Sequence, residues 1–404
     1  MTLQKIWRHW FLIMKVKVDY FLSHPIQYFS PLLRKMDEEL DLHVYYFSDA
    51  SIRGNYDVGF GQKVKWDIPL LEGYEYSFLK NLSGRKSLSN RFFDVFNPSV
   101  VSTLFRSRSK IVIVNGWSYS STLMVIFFSA IFRKKVWLRA ENPLNQELRK
   151  SSKVLKMKKV FLGYLLFPFV HRFLYIGSQS KEFFTYYGVK PEKLVYTPYA
   201  VDNDFFQQEA KKLSDKESVK KELGVDPGKK VILYSGKYIE KKRPLDLVKA
   251  FTQLHRTDST LVMMGEGELR KEMENYITAN NVQDVVLSGF INQSEIVKYY
   301  AASDVFVMCS GMGETWGLSV NEAMNFSLPV IVSSTCGSAH DLVLQGVNGF
   351  VYDEGDIDEL SKRLNELLSD EPLRISCGKA SQKIIADFSI DKIVGELKFA
   401  AEKQ

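Results

Sequence analysis

The chain has 404 residues, 45 % of them apolar and 25 % charged, with 24 Gly and 12 Pro, a composition that excludes disordered, collagen-like and coiled-coil classes and has room for two or three domains. Its Cys residues, Cys309, Cys336 and Cys377, form no C-x-x-C pair, which argues against a disulfide framework, a zinc cluster or a thioredoxin-type site and fits a reducing compartment. The net charge of +7 is unevenly laid down, with 30 Lys and Arg against 15 Asp and Glu in residues 1–200 and 24 against 32 in residues 201–404; the basic half suits an acidic or phosphorylated partner or an anionic membrane, and no nucleic-acid motif accompanies it.

Residues 1–13 precede a second Met and carry basic and aromatic residues without a small-residue cleavage site. They read as an early start codon or as a basic, aromatic surface anchor, not as a signal peptide. The longest apolar runs reach about ten residues, against the ~18 a spanning helix needs. From Lys15 onward VKVDYFL, DLHVYYF, SKIVIVN, KKVWLRA and HRFLYIG are strand-like and alternate with helical patterns. After a pause at TPYAVDNDFF and a polar stretch read as the inter-domain connection, KKVILYSG, STLVMMGEG, QDVVLSGF, SDVFVMC, LPVIVSS and NGFVYDE continue the series. The alternation predicts two tandem Rossmann-like, doubly wound parallel-sheet domains, at 14–198 and 199–385, whose carboxyl edges form a cleft. Residues 386–404 are expected to form a helix packing back toward the first domain.

The loop after VFVMC reads SGMGETWGLSVNEAMNF. Gly317 permits close backbone approach, and the amides of Gly317 and Leu318 would open the following helix, whose positive end suits a diphosphate. Glu314 and Glu322 flank this point and suit sugar hydroxyls. Ser319-Val320-Asn321-Glu322 also reads as a capping box, in which Glu322 only returns to an N-cap amide, and spacing alone leaves both readings open. Gly236-Lys237 through Lys241-Lys242-Arg243-Pro244 puts four cations after the first strand of this half, on the same sheet edge.

The segments GKYIEKKRP, MMGEGELRKEME, LSGFINQSEIVKYYAASDVFV, GETWGLSVNEAM and LPVIVSSTCGSAHDLVLQGVNGFVYDEGDIDEL stand in this order over residues 231–369. Together they resemble the retaining glycosyltransferases of family 4, while SHPIQYFSPLLRKM and TPYAVDNDFF are similar to a bacterial polysaccharide-type subgroup. The resemblance implies the GT-B fold, an α/β architecture of two Rossmann-like domains facing a central cleft, and a nucleoside-diphosphate sugar as co-substrate. It implies that Glu314 touches the donor sugar and Glu322 the nucleotide ribose, that Lys237 and Lys242 hold the diphosphate, and that Gly236, Gly265, Thr315, Trp316, Gly317 and Leu318 surround them. Gly289-Phe290, after DVVLS, would line the base pocket, with a buried packing role for Phe290 the open alternative. Lys237 stands where that family more often has Arg, and Cys336 and Asp341 stand for the Gly and Glu of its G-G-x-x-E stretch.

A diphosphate leaving group needs cations and amides aimed at its growing charge, which Lys237, Lys242, Gly317 and Leu318 would supply without a metal or other cofactor. Asp202-Asn203-Asp204 matches the D-x-D metal site of other glycosyltransferases but follows the TPYAV hinge, so it reads as structural. His24, after the first strand, is a donor or acceptor contact or a structural residue, and Glu141 is the acid expected to orient an acceptor hydroxyl. Residues 149–172 contain no acid, and Val154, Met157, Phe161 and Leu165 recur beside Lys153, Lys156, Lys158 and Lys159. This pattern predicts either a helix lying on an anionic membrane or a core-facing helix with a solvated basic edge. The expected activity is transfer to a glycan or lipid-linked glycan in envelope or capsule polysaccharide assembly, in the cytoplasm at the inner membrane face. A nucleotide-sugar epimerase of the same architecture and a non-catalytic sugar-nucleotide-binding protein are the alternatives.

Overall fold

The computed structural model describes residues 15–53, 56–57, 61–63, 66–83 and 91–403; the leader reading for residues 1–13 falls outside them. Two wholly parallel sheets organise the chain. The first has the order Glu75–Phe78, Asp41–Tyr46, Lys17–Leu22, Ile111–Asn115, Lys135–Ala140, Arg172–Tyr175, Leu194–Tyr196. The second runs Val285–Gly289, Ser259–Met264, Lys230–Ser235, Val305–Met308, Val330–Ser333, Gly349–Tyr352. Helices cover both faces, so an interior strand such as Ser259–Met264 is buried at every position, and its Leu261 to Met264 are apolar without alternation. In each sheet the strand order reverses beside the first strand, which leaves a crevice at the carboxyl ends there.

Every strand read from the sequence is present, and Glu75–Phe78 and Leu194–Tyr196 extend the edges of the first sheet. The polar stretch read as the inter-domain connection is instead helical, Asn203–Lys212 followed by Lys216–Glu222, each capped by an Asp carboxylate. Phe206 and Val219 are buried beneath its charged outer face. Asp202 supplies one of those caps, accepting a hydrogen bond from the Phe205 amide at 3.0 Å. The helix Glu371–Ile385 packs against the helices Leu318–Asn325 and Ile357–Ser369 of the second domain, whereas the last helix, Ile390–Glu402, buries Ile393, Val394 and Leu397 among Val18, Leu33 and Trp137 of the first. An ion pair between Lys398 and Glu39 (2.7 Å) fixes its outer side.

The helix Ser152–Val160 buries no residue, and Met157 (62 %), Tyr164 (74 %) and Leu165 face solvent with Lys153, Lys156 and Lys159. Lys158 differs from its basic neighbours. Its ammonium turns inward onto the buried Glu147 carboxylate (2.6 Å), which also accepts from Lys150 and the Tyr187 hydroxyl, both at 2.8 Å. Among the described residues no helix is long and apolar enough to cross a membrane.

Candidate functional site

The loops that follow Lys230–Ser235 and Val305–Met308 leave the second sheet side by side at its switch point. The first turns through Glu240–Lys242 and places Lys242 Nζ on a carboxylate oxygen of Glu314, carried by the second loop. Glu314 is only 7 % exposed. Burial alone would raise its carboxyl, but the Lys242 ammonium, with Lys241 behind it, draws it below the usual range. Lys241 reaches the Gly313 carbonyl (3.4 Å), and Arg243 turns away to Asp246 (2.6 Å). The four cations thus separate into Lys242 on the site acid, Lys241 beside it, Arg243 bracing the loop, and Lys237, whose carbonyl accepts from the Tyr234 hydroxyl at 3.1 Å.

Gly317 then caps the helix Leu318–Asn325 at φ 92°, a left-handed conformation natural only to glycine, and a Cβ there would stand 2.9 Å from Cys336 Sγ. The first paired amide of the helix is that of Val320, donating to the Gly317 carbonyl. The amides of Gly317 and Leu318 precede it at the positive end of the helix. Because the helix starts here, Ser319 lies inside the first turn and bonds the Ser235 carbonyl (3.2 Å), so the capping box is not formed.

Glu322 is free for other work. It is 2 % exposed, one oxygen accepts from the Tyr300 hydroxyl at 2.6 Å, and Oε1 has no hydrogen-bond partner among the described residues. Burial pushes its carboxyl up to about 7, against which the Tyr300 and Tyr28 hydroxyls only partly hold it down. Tyr28 comes from the loop after the first strand of the other domain, so this carboxylate lies where the two sheets' edges meet.

Other contacts join the lobes at the same place. Gln146 Nε2 donates to the carbonyls of Glu314 (2.8 Å) and Thr335 (2.9 Å), and its Oε1 accepts from the Gly313 amide (2.9 Å), so one side chain of the first lobe ties the acid-bearing loop to the loop after Val330–Ser333. Arg149 bonds Glu354 and Thr335. Glu141 is engaged by Arg139 and accepts from the Thr315 hydroxyl (3.3 Å), which brings it to the donor loop. Asp341 takes both the amide and the hydroxyl of Ser178 across the cleft (2.9–3.0 Å).

The remaining sequence-named residues divide between the cleft and its scaffold. His24 lies at the carboxyl edge of the first sheet with Nδ1 on the Ser23 hydroxyl (2.9 Å). Gly236 and Gly265 bring two loops into contact, since a Cβ at Gly265 would stand 1.9 Å from the Gly236 carbonyl. Phe290 meets Trp66 of the other lobe edge-on at 6.0 Å. Trp316 is a packing residue: its indole is 2 % exposed, lies against Tyr199 and Phe388, and donates to Asn321 (2.8 Å). Sequence reading missed Tyr28, Gln146 and Tyr300. The first two were accessible in principle, because both follow strands of the first sheet at its carboxyl edge; Tyr300 lies in a helix that reads as core.

Residues 215–384 match the protein-family description "Glycosyl transferases group 1". The chain is 32 % identical over 216 residues to the UDP-Gal:alpha-D-GlcNAc-diphosphoundecaprenol alpha-1,3-galactosyltransferase of Escherichia coli, an alignment covering 52 % of this chain and 54 % of that one. It is 26 % identical over 211 residues to the N-acetyl-alpha-D-glucosaminyl L-malate synthase of Bacillus anthracis, covering 52 % and 53 %. The chain thus spans about half the length of these curated relatives. Among solved structures, Anabaena Alr3699/HepE in complex with UDP superposes with a TM-score of 0.74 at 18 % identity over 97 % of this chain and 100 % of that one. The lipopolysaccharide-biosynthesis glycosyltransferase WaaG gives 0.64 at 14 % identity over 95 % and 98 %. These likenesses establish the fold, two Rossmann-like domains in the GT-B arrangement, and the glycosyl transferases group 1 match falls on the lobe that carries Glu314 and Glu322.

Proposed function

We propose that this chain is a retaining glycosyltransferase that moves a sugar from a nucleoside-diphosphate donor to a lipid-linked glycan in cell-envelope or capsule polysaccharide assembly. The observation that carries the reading is the meeting, at one sheet edge, of the Lys242–Glu314 pair, the positive end of the helix Leu318–Asn325 and the buried Glu322. Ammonium groups and amides there would take the diphosphate, Glu314 the sugar and Glu322 the ribose. As the glycosidic bond breaks, negative charge grows on the bridging oxygen, and Lys237, Lys242 and the Gly317 and Leu318 amides, fixed beforehand in a poorly hydrated cleft, stabilise it. A sugar-nucleotide donor and a polyprenyl-linked acceptor are named in the E. coli relative, and UDP is bound in the Anabaena structure.

Thermal-shift screening of UDP-, GDP- and ADP-sugars is expected to single out one base, with a rise of about 3 °C or more at saturating donor; no response to any of them would overturn the reading. Product analysis with an added glycan-lipid extract then separates transfer from donor epimerisation and from binding without turnover.

The cleft needs no metal in this scheme, because its cations face the leaving group and Asp202 is occupied as a helix cap. Transfer is expected to persist in EDTA. Loss of activity restored by Mn²⁺ or Mg²⁺ would refute metal independence.

The acceptor is expected to be met at an anionic leaflet. Met157, Tyr164 and Leu165 supply exposed apolar area beside Lys153, Lys156 and Lys159, each cation gaining about 1 kcal/mol near such a surface. Flotation with phosphatidylglycerol vesicles at low salt should carry the protein upward, and changing these three Lys to Gln should abolish it. Lys158 is left intact in that variant because it anchors the helix to Glu147.

A further inference from the structure

The amino edge of the first sheet, at the opposite end from the cleft, holds a feature the reaction does not use. The strands Lys135–Ala140, Arg172–Tyr175 and Leu194–Tyr196 begin there side by side, roughly 20 Å from the cleft by the length of a six-residue strand. Between their starts and the end of the last helix lies a cavity of about 350 Å³ lined by Lys135, Pro168, His171, Arg172, Lys193 and Lys403, with Val170 at its wall and, among the described residues, no Asp or Glu in the lining.

Three of the cations in this hollow, Arg172, Lys193 and Lys403, are held by neutral partners. Arg172 donates to the His171 carbonyl (3.2 Å), Lys193 to the Val170 carbonyl (3.4 Å), and the Lys403 ammonium lies over the Phe399 ring (3.8 Å). Among the described residues none of these three is paired with a carboxylate. His171 Nδ1 accepts from the Val136 amide (3.3 Å), which leaves the ring proton on Nε2 as a donor. Burial, then the charges of Lys193, Lys135 and Arg172, hold its imidazole below the ordinary range. The like charges of Arg172, Lys193 and Lys403, gathered from three chain segments, repel one another, and a multivalent anion relieves that repulsion while accepting a charge-assisted bond from each. Arg172 adds the planar fork that suits phosphate oxygens.

We propose that this cavity is a second anion site, separate from the donor cleft, that takes a phosphate group. The group can belong to a phospholipid headgroup or to a soluble phosphate. Pro168 on the rim leads directly to exposed Phe169, which meets exposed Phe127 edge-on at 6.1 Å, so the cavity opens beside apolar surface.

The local reporter is His171, because the cleft also attracts phosphate. In the full chain with ¹⁵N-labelled histidine, assigned with His171→Gln, the His171 titration midpoint is followed by NMR with inorganic phosphate and, separately, with dihexanoyl phosphatidylglycerol below its micelle concentration. A bound anion is expected to raise the midpoint by about one pH unit. A response to the lipid alone identifies a headgroup site, a response to phosphate alone a soluble ligand, and either supports the proposal. The shift is expected to vanish in R172Q/K193Q and to shrink in K403Q, whose exposed position at the helix end leaves the fold intact, while K242Q in the cleft retains it. A midpoint that moves by less than about 0.2 unit with both probes, or a full shift persisting in R172Q/K193Q and K403Q, would overturn it.

Discussion

Changing Lys242 to Ala is expected to lower the turnover number by two to three orders of magnitude at saturating donor, the loss typical when one preorganised group facing developing charge is removed, about 3–4 kcal/mol. Lys242→Arg keeps the charge and should recover part of the rate, although its planar head cannot reproduce a point contact with Glu314. The same substitution has a stability signature. Glu314 is buried and its carboxyl is held low chiefly because Lys242 outweighs the effect of burial. A depressed acid contributes stability that is present above its unfolded value near 4.5 and is lost as pH falls through the folded value. Lys242→Ala should therefore reduce stability at pH 7 by about 3 kcal/mol, since breaking a buried pair strands a charge, and the deficit should shrink as pH falls below 4.5 toward the depressed folded value. Near-normal turnover in the Ala variant, measured alongside a lowered Tm, would leave Lys242 with a structural duty only.

Glu322→Gln is expected to move stability and affinity in opposite directions. Unfolded, this carboxyl titrates near 4.5; in the fold it titrates at about 7 because burial disfavours the charge. Between those values the unfolded chain gives up the proton first, so the group costs stability increasingly as pH rises from about 4.5 to 7 and fully above that. Gln has no proton to lose. The variant should match the parent near pH 4 and exceed it at pH 8 by up to about 3 kcal/mol. Donor affinity should nevertheless fall about tenfold to a hundredfold, because two charge-assisted bonds to vicinal hydroxyls become neutral ones. In the parent the donor should bind more weakly below pH 7, by up to about tenfold per pH unit, as the carboxylate must ionise to receive the ribose. Calorimetric donor binding unchanged by the substitution and flat from pH 6 to 8 would sink this assignment.

Strands such as KVILYS and STLVMM announced themselves because burial on both faces demands unbroken apolar runs, and the helix patterns between them made the parallel sheets legible. The edge strands Glu75–Phe78 and Leu194–Tyr196 did not, since short edges need no such run. Asn203–Lys212 and Lys216–Glu222 read as a linker because their charged outer faces hide only two buried residues each, one of them apolar. Within the site, Gly317 and the paired carboxylates carried a physical signature. Gln146 carried none, for a lone amide in a short helix acquires meaning only when two loops of the other lobe arrive to meet it. Charge alone also misplaced Lys158, whose partner, the buried Glu147, lies eleven residues back on a separate short helix.

The last helix, Ile390–Glu402, completes the hydrophobic interior begun by residues 17–46. During vectorial synthesis the lobe that emerges first therefore waits for its final piece until the other lobe has already been made, and its exposed seam must be shielded for that interval. The lobes are also tied by two chain crossings, so any opening between them must proceed as a swing about that double tether.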